Sequence, residues 1–186
     1  GPSGLRPSPL VAAVQSPVGD AVLRALTRLV NRIARGETPP HIRQHVAGCI
    51  LFAGKKGDND VRPLGAGETY RRLTARCIVM VTRGDLRDAL GETHIGDAMS
   101  GGVEVGSHLS RSFIHRHAGD PNKALLMIDY ENAHNTPYRD PALRVIRERC
   151  PALSPFAETC YAQPSPMYVG NSVVWSVRGW HQGCSS

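Results

Sequence analysis

Asp129 is the residue of this chain best placed to do chemistry. It closes an apolar run, Leu125-Leu-Met-Ile128, and leads into Tyr130-Glu-Asn-Ala-His-Asn135. A short apolar run bounded by turn residues reads as a buried strand, which predicts a central strand over 124–129. A carboxylate at the end of such a strand is costly to bury unless paired, and a divalent cation pairs with it well. Asp129 can thus offer a ligand to Mg²⁺ at the rim of a sheet. Asp is also a common turn and cap residue, and on these residues alone that alternative stays open. Lys55, Lys56 and Arg62 flank a loop rich in Gly, Asn and Asp. Three cations on such a tip can clamp a triphosphate, or simply keep a loop soluble. Arg24, Arg28 and Arg32 recur at helical spacing, as do Arg72 and Arg76, with Arg71 beside them. These six arginines suit a phosphate backbone or a solvated helix face.

Other reactive residue types are less well placed. His41 and His45 are four apart, and His108, His115 and His117 follow Glu104. A zinc site wants tighter Cys/His spacing, so these read as exposed helix histidines. Ser107, Ser110 and Ser172 lack the strand-turn-helix context of a nucleophile, and Cys184 near His181 lacks a third group.

Helices and hairpins must position these residues. Asp20 to about Arg35 reads as a helix with Leu23, Leu26, Val30 and Ile33 on one face. Cys49–Ala53 and Val61–Gly65 read as a hairpin, with Pro63 confining the second strand to an edge or its start. A helix follows from about Glu68 to Val81, with Leu73, Cys77 and Met80 as its apolar stripe. Residues 85–102 read as irregular, and Gly101-Gly102 precede a helix carrying Val105, Leu109 and Phe113. Asp140 with Pro141 reads as a helix start, facing Leu143, Ile146 and Cys150 inward, and Pro151 and Pro155 as its end. Pro166 to Val177 reads as a second hairpin turning at Gly170-Asn171. The predicted class is α/β, mixed α+β.

Composition bounds the partners. The chain has 186 residues and a formal charge of +6. That suits polyanionic partners, or a soluble basic protein. No apolar run approaches the ~18 residues of a membrane span. Residues 1–19, rich in Pro, Ser and Gly, read as a flexible leader; Gly1-Pro2 fits either a protease scar or the residue of a removed targeting peptide. Five cysteines without a Cys-x-x-Cys pair read as reduced thiols in an intracellular compartment, nucleus and organelle not being distinguished. Cys49, Cys77 and Cys150 sit in apolar patterns and read as core.

Four segments together resemble reverse transcriptases of the non-LTR retrotransposon and group II intron type. They are Ala34-Arg-Gly-Glu-Thr-Pro-Pro40 with Ala47-Gly48; Lys55-Lys56 with Val61-Arg-Pro-Leu-Gly-Ala-Gly-Glu-Thr-Tyr-Arg-Arg-Leu73; Gly101-Gly-Val-Glu104; and Asp129-Tyr-Glu-Asn-Ala-His-Asn135 continuing to Arg178-Gly-x-x-Gln-Gly183. The resemblance covers about residues 20–184. It implies right-hand polymerase fingers with an incomplete palm sheet: a fingers-like region over 20–122 and a partial palm over 123–186. Asp129 then matches the first metal-ligating catalytic residue, and the Tyr130 carbonyl a lesser ligand. Lys55, Lys56 and Arg62 match the fingers cations that meet the triphosphate. Gln182 and Gly183 match the motif that lets base and sugar approach. His134 stands where the family carries Phe or Tyr against the sugar, and Ser185 departs from the family's continuation.

The resemblance further implies two-metal nucleotidyl transfer, which one carboxylate cannot support alone. Mg²⁺ is expected only if other segments complete the site. Two functional expectations follow. The chain is a fragment of, or derives from, an RNA-directed DNA polymerase that needs the missing palm and thumb. Alternatively, it is a non-catalytic subunit, structural or RNA-binding, in a large and even organellar ribonucleoprotein. Either way its partners are RNA or a large assembly, with a protein partner over the incomplete palm sheet. RNA contact is expected at Arg24, Arg28, Arg32, Arg71, Arg72 and Arg76 and at the hairpin tip.

Overall fold

A computed structural model describes residues 1–56, 60–91, 93–96 and 100–181. Among these, eight helices and four strands form a mixed α/β protein. The chain divides into two compact units, residues 1–82 with 132–186, and residues 83–131. No helix among the described residues is long and apolar enough to cross a membrane.

The first unit is built on a four-stranded sheet. β1 (Cys49–Lys56) and β2 (Asp60–Gly67) form the first hairpin, with Ala53 opposite Pro63 and Gly54 opposite Arg62. β3 (Ser165–Val169) and β4 (Ser172–Ser176) form the second, closing at Gly170 and Asn171. The hairpins join through a parallel pairing of β1 with β3, Cys49 opposite Met167, giving the order β2-β1-β3-β4. Pro63, which cannot donate to a ladder, therefore lies on an edge strand as expected.

Helices precede and link these strands, and the one leading into β1 packs against β3. α1 (Pro7–Val14) lies within the segment whose composition reads as a leader, α2 is Gly19–Ala34, and α3 (Pro40–Ala47) leads directly into β1. α4 is Thr69–Val81. Ahead of α1, Ser3 Oγ donates to Glu68 at 2.6 Å and Thr69 Oγ1 donates to the Leu5 carbonyl, tying residues 3–5 to the start of α4. α7 is Arg139–Arg149 and α8 Ser154–Tyr161. The core gathers Ile33, Ala75, Ile78, Phe156 and Cys160 from α2, α4 and α8.

The inward face of α4 differs from the expected stripe. Thr69, Arg71, Thr74, Ala75 and Ile78 are buried, whereas Cys77 is exposed and Met80 is 78% exposed. Apolarity alone picks the wrong row here, because hydrogen-bonded Thr and Arg side chains take the inward one. Cys49 and Cys150 are buried as expected. α7 starts earlier than Asp140 suggests: Tyr138 is its N-cap and Asp140 lies in its first turn.

The second unit holds α5 (Arg83–Leu90), in a stretch expected to be irregular, and α6 (Gly102–Arg116), introduced by Gly101. The strand expected over 124–129 does not form. Residues 123–130 carry no regular structure, and Leu126, Met127 and Ile128 are 79%, 85% and 65% exposed. A strand needs a ladder partner. Both sides of β1 are taken by β2 and β3, and neither outer strand, β2 or β4, pairs with this segment.

Candidate functional site

The most tightly built polar cluster of the first unit centres on two buried guanidinium groups. A buried arginine is tolerated only when its donors are met. Arg139, at the start of α7, is 6% exposed. Its Nε donates to the Gly179 carbonyl at 2.8 Å, and Nη1 to the Ser176 and Gln163 carbonyls at 3.0 and 3.3 Å. Nη2 donates to Ser176 Oγ at 2.6 Å and to the Arg178 carbonyl at 3.2 Å. One side chain thus fixes the end of β4, the turn after it and the approach to β3. Burial pulls the Arg139 pKa below the usual arginine value, with Arg71 adding to the effect and Tyr161 opposing it.

Arg71, 2% exposed, reaches inward from α4. It donates to the Ala47 carbonyl at 2.7 Å, to the Tyr161 hydroxyl at 2.7 Å and to His181 Nδ1 at 3.0 Å. Arginine offers only donors, so Nδ1 must be the acceptor and the imidazole proton sits on Nε2. Nε2–H then donates to Ser165 Oγ at 3.3 Å. Burial, followed by the charges of Arg71 and Arg139, lowers the His181 pKa from 6.5 to about 3. His181 is therefore a neutral ring whose lone pair is already engaged, and its two nitrogens tie the Arg71 side chain to Ser165. The Tyr161 ring lies beneath both guanidinium groups, 5.0 Å from Arg71 and 5.4 Å from Arg139, and meets Trp180 edge-on at 4.5 Å. Such contacts add cation–π attraction to the hydrogen bonds.

This cluster holds the segment that leads to Gln182. Gly179 N–H donates to the Pro137 carbonyl at 2.9 Å, and Trp180 N–H to the His134 carbonyl at 2.6 Å. Residues 134–137 and 178–181, the tail of one expected motif and the head of the other, are thereby hydrogen-bonded side by side. Gly179 has φ +60, and a Cβ there would lie 2.3 Å from the Asn135 carbonyl carbon. Backbone cannot yield as a flexible side chain can. Gly179→Ala is expected to combine left-handed strain with this clash and to cost about 3 kcal/mol or more. Chemical denaturation would read it; a loss below 1 kcal/mol would mean the two segments separate easily.

The remaining expected site residues distribute as follows. Lys55 on β1 and Arg62 on β2 are exposed on the first hairpin, Lys55 opposite Val61. Lys56 ends β1 opposite Asp60. His134 is exposed. Asp129 and Tyr130 belong to the second unit, and both are exposed. Gln182 and Gly183 lie outside the described residues. Arg24, Arg28, Arg32, Arg72 and Arg76 are exposed, whereas Arg71 is not available to a nucleic-acid backbone. It is consumed by the cluster just described, a consequence of sharing a helical row with Ala75 and Ile78.

Comparison with protein-family models, with curated proteins and with solved structures found no match. Metal chemistry must then be judged on the donors themselves. Among the described residues no three His, Cys, Asp or Glu side chains gather closely enough to hold an ion. Asp129 is a single, solvated carboxylate. The described residues do not by themselves fit Mg²⁺.

Arg139, Tyr161 and Trp180 have no counterpart among the expected site residues, and His181 figured only beside Cys184. The signal for Arg71 lay in helical phase: counting from Ala75 and Ile78 places Arg71, not Arg72, on the inward row. For Arg139 no local signal exists, because its partners are carbonyls distant in sequence.

Proposed function

We propose that this chain is a reverse-transcriptase-like fingers and partial-palm polypeptide that binds RNA and has no polymerase activity of its own. The observation that carries this reading is the tie between the two hairpins and the motif segments. The cation-bearing β1–β2 hairpin pairs with β3, and the turn after β4 hydrogen-bonds to residues 134–137. Parts of two of the resembling segments and the tail of the first catalytic motif are thereby held within one unit, which supports the reading. A non-catalytic role is favoured by the solvated state of Asp129 and by His134 at the sugar-facing position.

RNA would follow the row Arg24, Arg28 and Arg32 of α2 and the hairpin cations Lys55 and Arg62, all exposed. If about five phosphates are met, affinity for single-stranded RNA falls roughly a hundredfold between 50 and 200 mM salt. Reversing Arg24, Arg28 and Arg32 to Glu is expected to flatten that slope by about two. Salt-insensitive binding, or binding unchanged by the reversal, would remove RNA from this face. With Mg²⁺ or Mn²⁺ the chain is expected to extend no primer. Template-dependent extension that disappears in Asp129→Ala would overturn the non-catalytic reading.

A protein partner over the partial palm belongs to the same proposal. Its support is exposed apolar surface on Leu126, Met127 and Ile128, and on Val173, Val174 and Trp175 of the edge strand β4. Unpaired edges of this kind invite pairing with another chain. Sedimentation at rising concentration is expected to show self-association of the isolated chain that Val174→Lys reduces. A monodisperse monomer at all concentrations would count against the partner.

A further inference from the structure

We infer that the groove between α1, α2 and α4 is a docking site for an amphipathic helix of a partner protein, one that carries acidic residues along one flank. The groove has a volume of about 630 Å³. Its floor and lips are Val11 and Val14 from α1, Leu23 and Leu26 from α2, and Leu73 and Cys77 from α4. These side chains follow from sequence: each helix turns a short apolar row to the same side. The core does not use them, since it is drawn from Ile33, Ala75, Ile78, Phe156 and Cys160. Two residues of the apolar stripe read from the α4 sequence, Leu73 and Cys77, thus line this groove instead of the interior, whereas Met80 lines neither.

Shape selects a helix over a small molecule. A cavity that binds a small apolar ligand encloses most of its surface. Here the lips stand open, with Val11 53% and Leu23 52% exposed. Three helical walls present ridges into which a fourth helix can set its own side chains. α1, the shortest wall, is Pro7–Val14, so about 12 Å of groove is flanked on all sides, enough for about two turns and three apolar anchors at i, i+3 or i+4, and i+7.

Charge selects the flank. Arg72 and Arg76 stand one turn apart on the α4 wall, where they line the groove, and are exposed. Neither meets a carboxylate among the described residues. The facing wall offers Thr27 and Asn31, which are neutral. A helix lying in the groove with Glu or Asp four residues apart on its α4 side would place each carboxylate against a guanidinium. A basic helix would be repelled. Arg24, Arg28 and Arg32 occupy the neighbouring row of α2 and do not line the groove, so this site is separate from the proposed RNA face and does not rest on that reading.

The probe is a fluorescein-labelled fourteen-residue synthetic helix with three leucine anchors and two glutamates on one flank. A matched peptide carries lysine at the glutamate positions. Fluorescence anisotropy on the full chain is expected to show saturable one-to-one binding of the acidic peptide, about tenfold tighter than the basic one. Arg72→Glu with Arg76→Glu is expected to invert that preference. Val11→Arg, at an exposed lip where folding tolerates change, is expected to weaken both peptides about tenfold with an unchanged circular dichroism spectrum. Reversing Arg24, Arg28 and Arg32 should leave peptide affinity unmoved even where it abolishes RNA binding, so the two proposals fail separately. Equal binding of the two peptides, or acidic preference surviving the Arg72 and Arg76 reversal, overturns the proposal. So does displacement of the peptide by single-stranded RNA, which would assign these arginines to nucleic acid. A dimer that Val11→Arg dissolves would make a second copy the occupant and overturn it equally.

Discussion

Replacing Arg139 by methionine is expected to cost about 3–5 kcal/mol of folding stability, one of the largest effects of any single substitution here. The magnitude follows from what is left behind. Methionine fills much of the arginine stem's volume, so the apolar packing largely survives. The carbonyls of Gly179, Gln163, Ser176 and Arg178 and the Ser176 hydroxyl all lose a donor at once. Those acceptors are held by the β3–β4 hairpin and by the turn after it, and cannot all swing to water. Each unsatisfied buried acceptor costs on the order of 1 kcal/mol or more. For a domain of this size the loss lowers Tm by roughly 10–15 °C. Arg139→Lys should recover only part, because an ammonium is a point donor and cannot reach all five acceptors that the guanidinium fork meets. Thermal melts followed by circular dichroism read all three proteins. A methionine variant melting within about 2 °C of the parent would mean the cluster contributes little.

A control sits nearby. Arg147 donates to Glu158 at 2.7 Å, a length matched by the Arg71 bonds of the buried cluster, yet the two side chains are 60% and 38% exposed. Water screens that pair, and exposed pairs are worth about 0–1 kcal/mol. The contrast between Arg139 and Arg147, both on α7, is set by burial and not by bond length.

Much of the fold was legible because it is local. Both hairpins announced themselves through paired apolar runs around Gly/Asn turns, and α2, α4, α6 and α7 through their spacing. What escaped is instructive. α1 begins at Pro7, α3 at Pro40, and α8 takes Pro155 in its first turn. Each proline reads naturally as a stop, whereas the first turn of a helix needs no N–H there and accepts it. Missing α8 meant missing Phe156 and Cys160, two of the five buried residues of the core cluster.

The central strand failed for the opposite reason. Leu125 to Ile128 has the composition of a strand, but a strand is defined by its neighbour, and β1 chose β3, far away along the chain. The site divides along the same line. Exposed residues such as Lys55 and Arg62 were found from type and spacing alone. The groups that hold the motif segments together were not, since Arg139 and His181 act through carbonyl and imidazole partners that only the tertiary fold supplies.

His181 gives the second large prediction, a loss of stability with acid that its replacement removes. In the folded chain the ring is neutral, with Nδ1 accepting from Arg71 and Nε2–H directed at Ser165 Oγ. A proton on Nδ1 would face the Arg71 guanidinium directly, with Arg139 also near, and would do so out of water. The folded pKa is accordingly lowered from 6.5 to about 3. Below pH 6.5 the unfolded chain therefore takes up a proton that the folded chain refuses until about pH 3. Stability is full above the unfolded value and falls throughout that window, by up to about 1.4 kcal/mol per pH unit. Between pH 6.5 and 4.5 the loss amounts to about 2 kcal/mol. Glu158, whose pKa is also lowered, by its bond to Arg147, adds its own loss only where carboxylates begin to protonate, at the acid end. Urea denaturation at pH 7, 6, 5 and 4.5 is the measurement. His181→Gln keeps a donor and an acceptor without a titrating proton, so it should be less stable than the parent at pH 7 and should lose less stability on acidification. Parallel pH slopes for the two proteins, or a His181 ring proton titrating near 6.5, would show that the ring is open to water and that Arg71 does not hold it. The Arg139→Met variant adds a further check, since removing one of the two cations facing the ring raises the His181 pKa and flattens the same slope at its acid end.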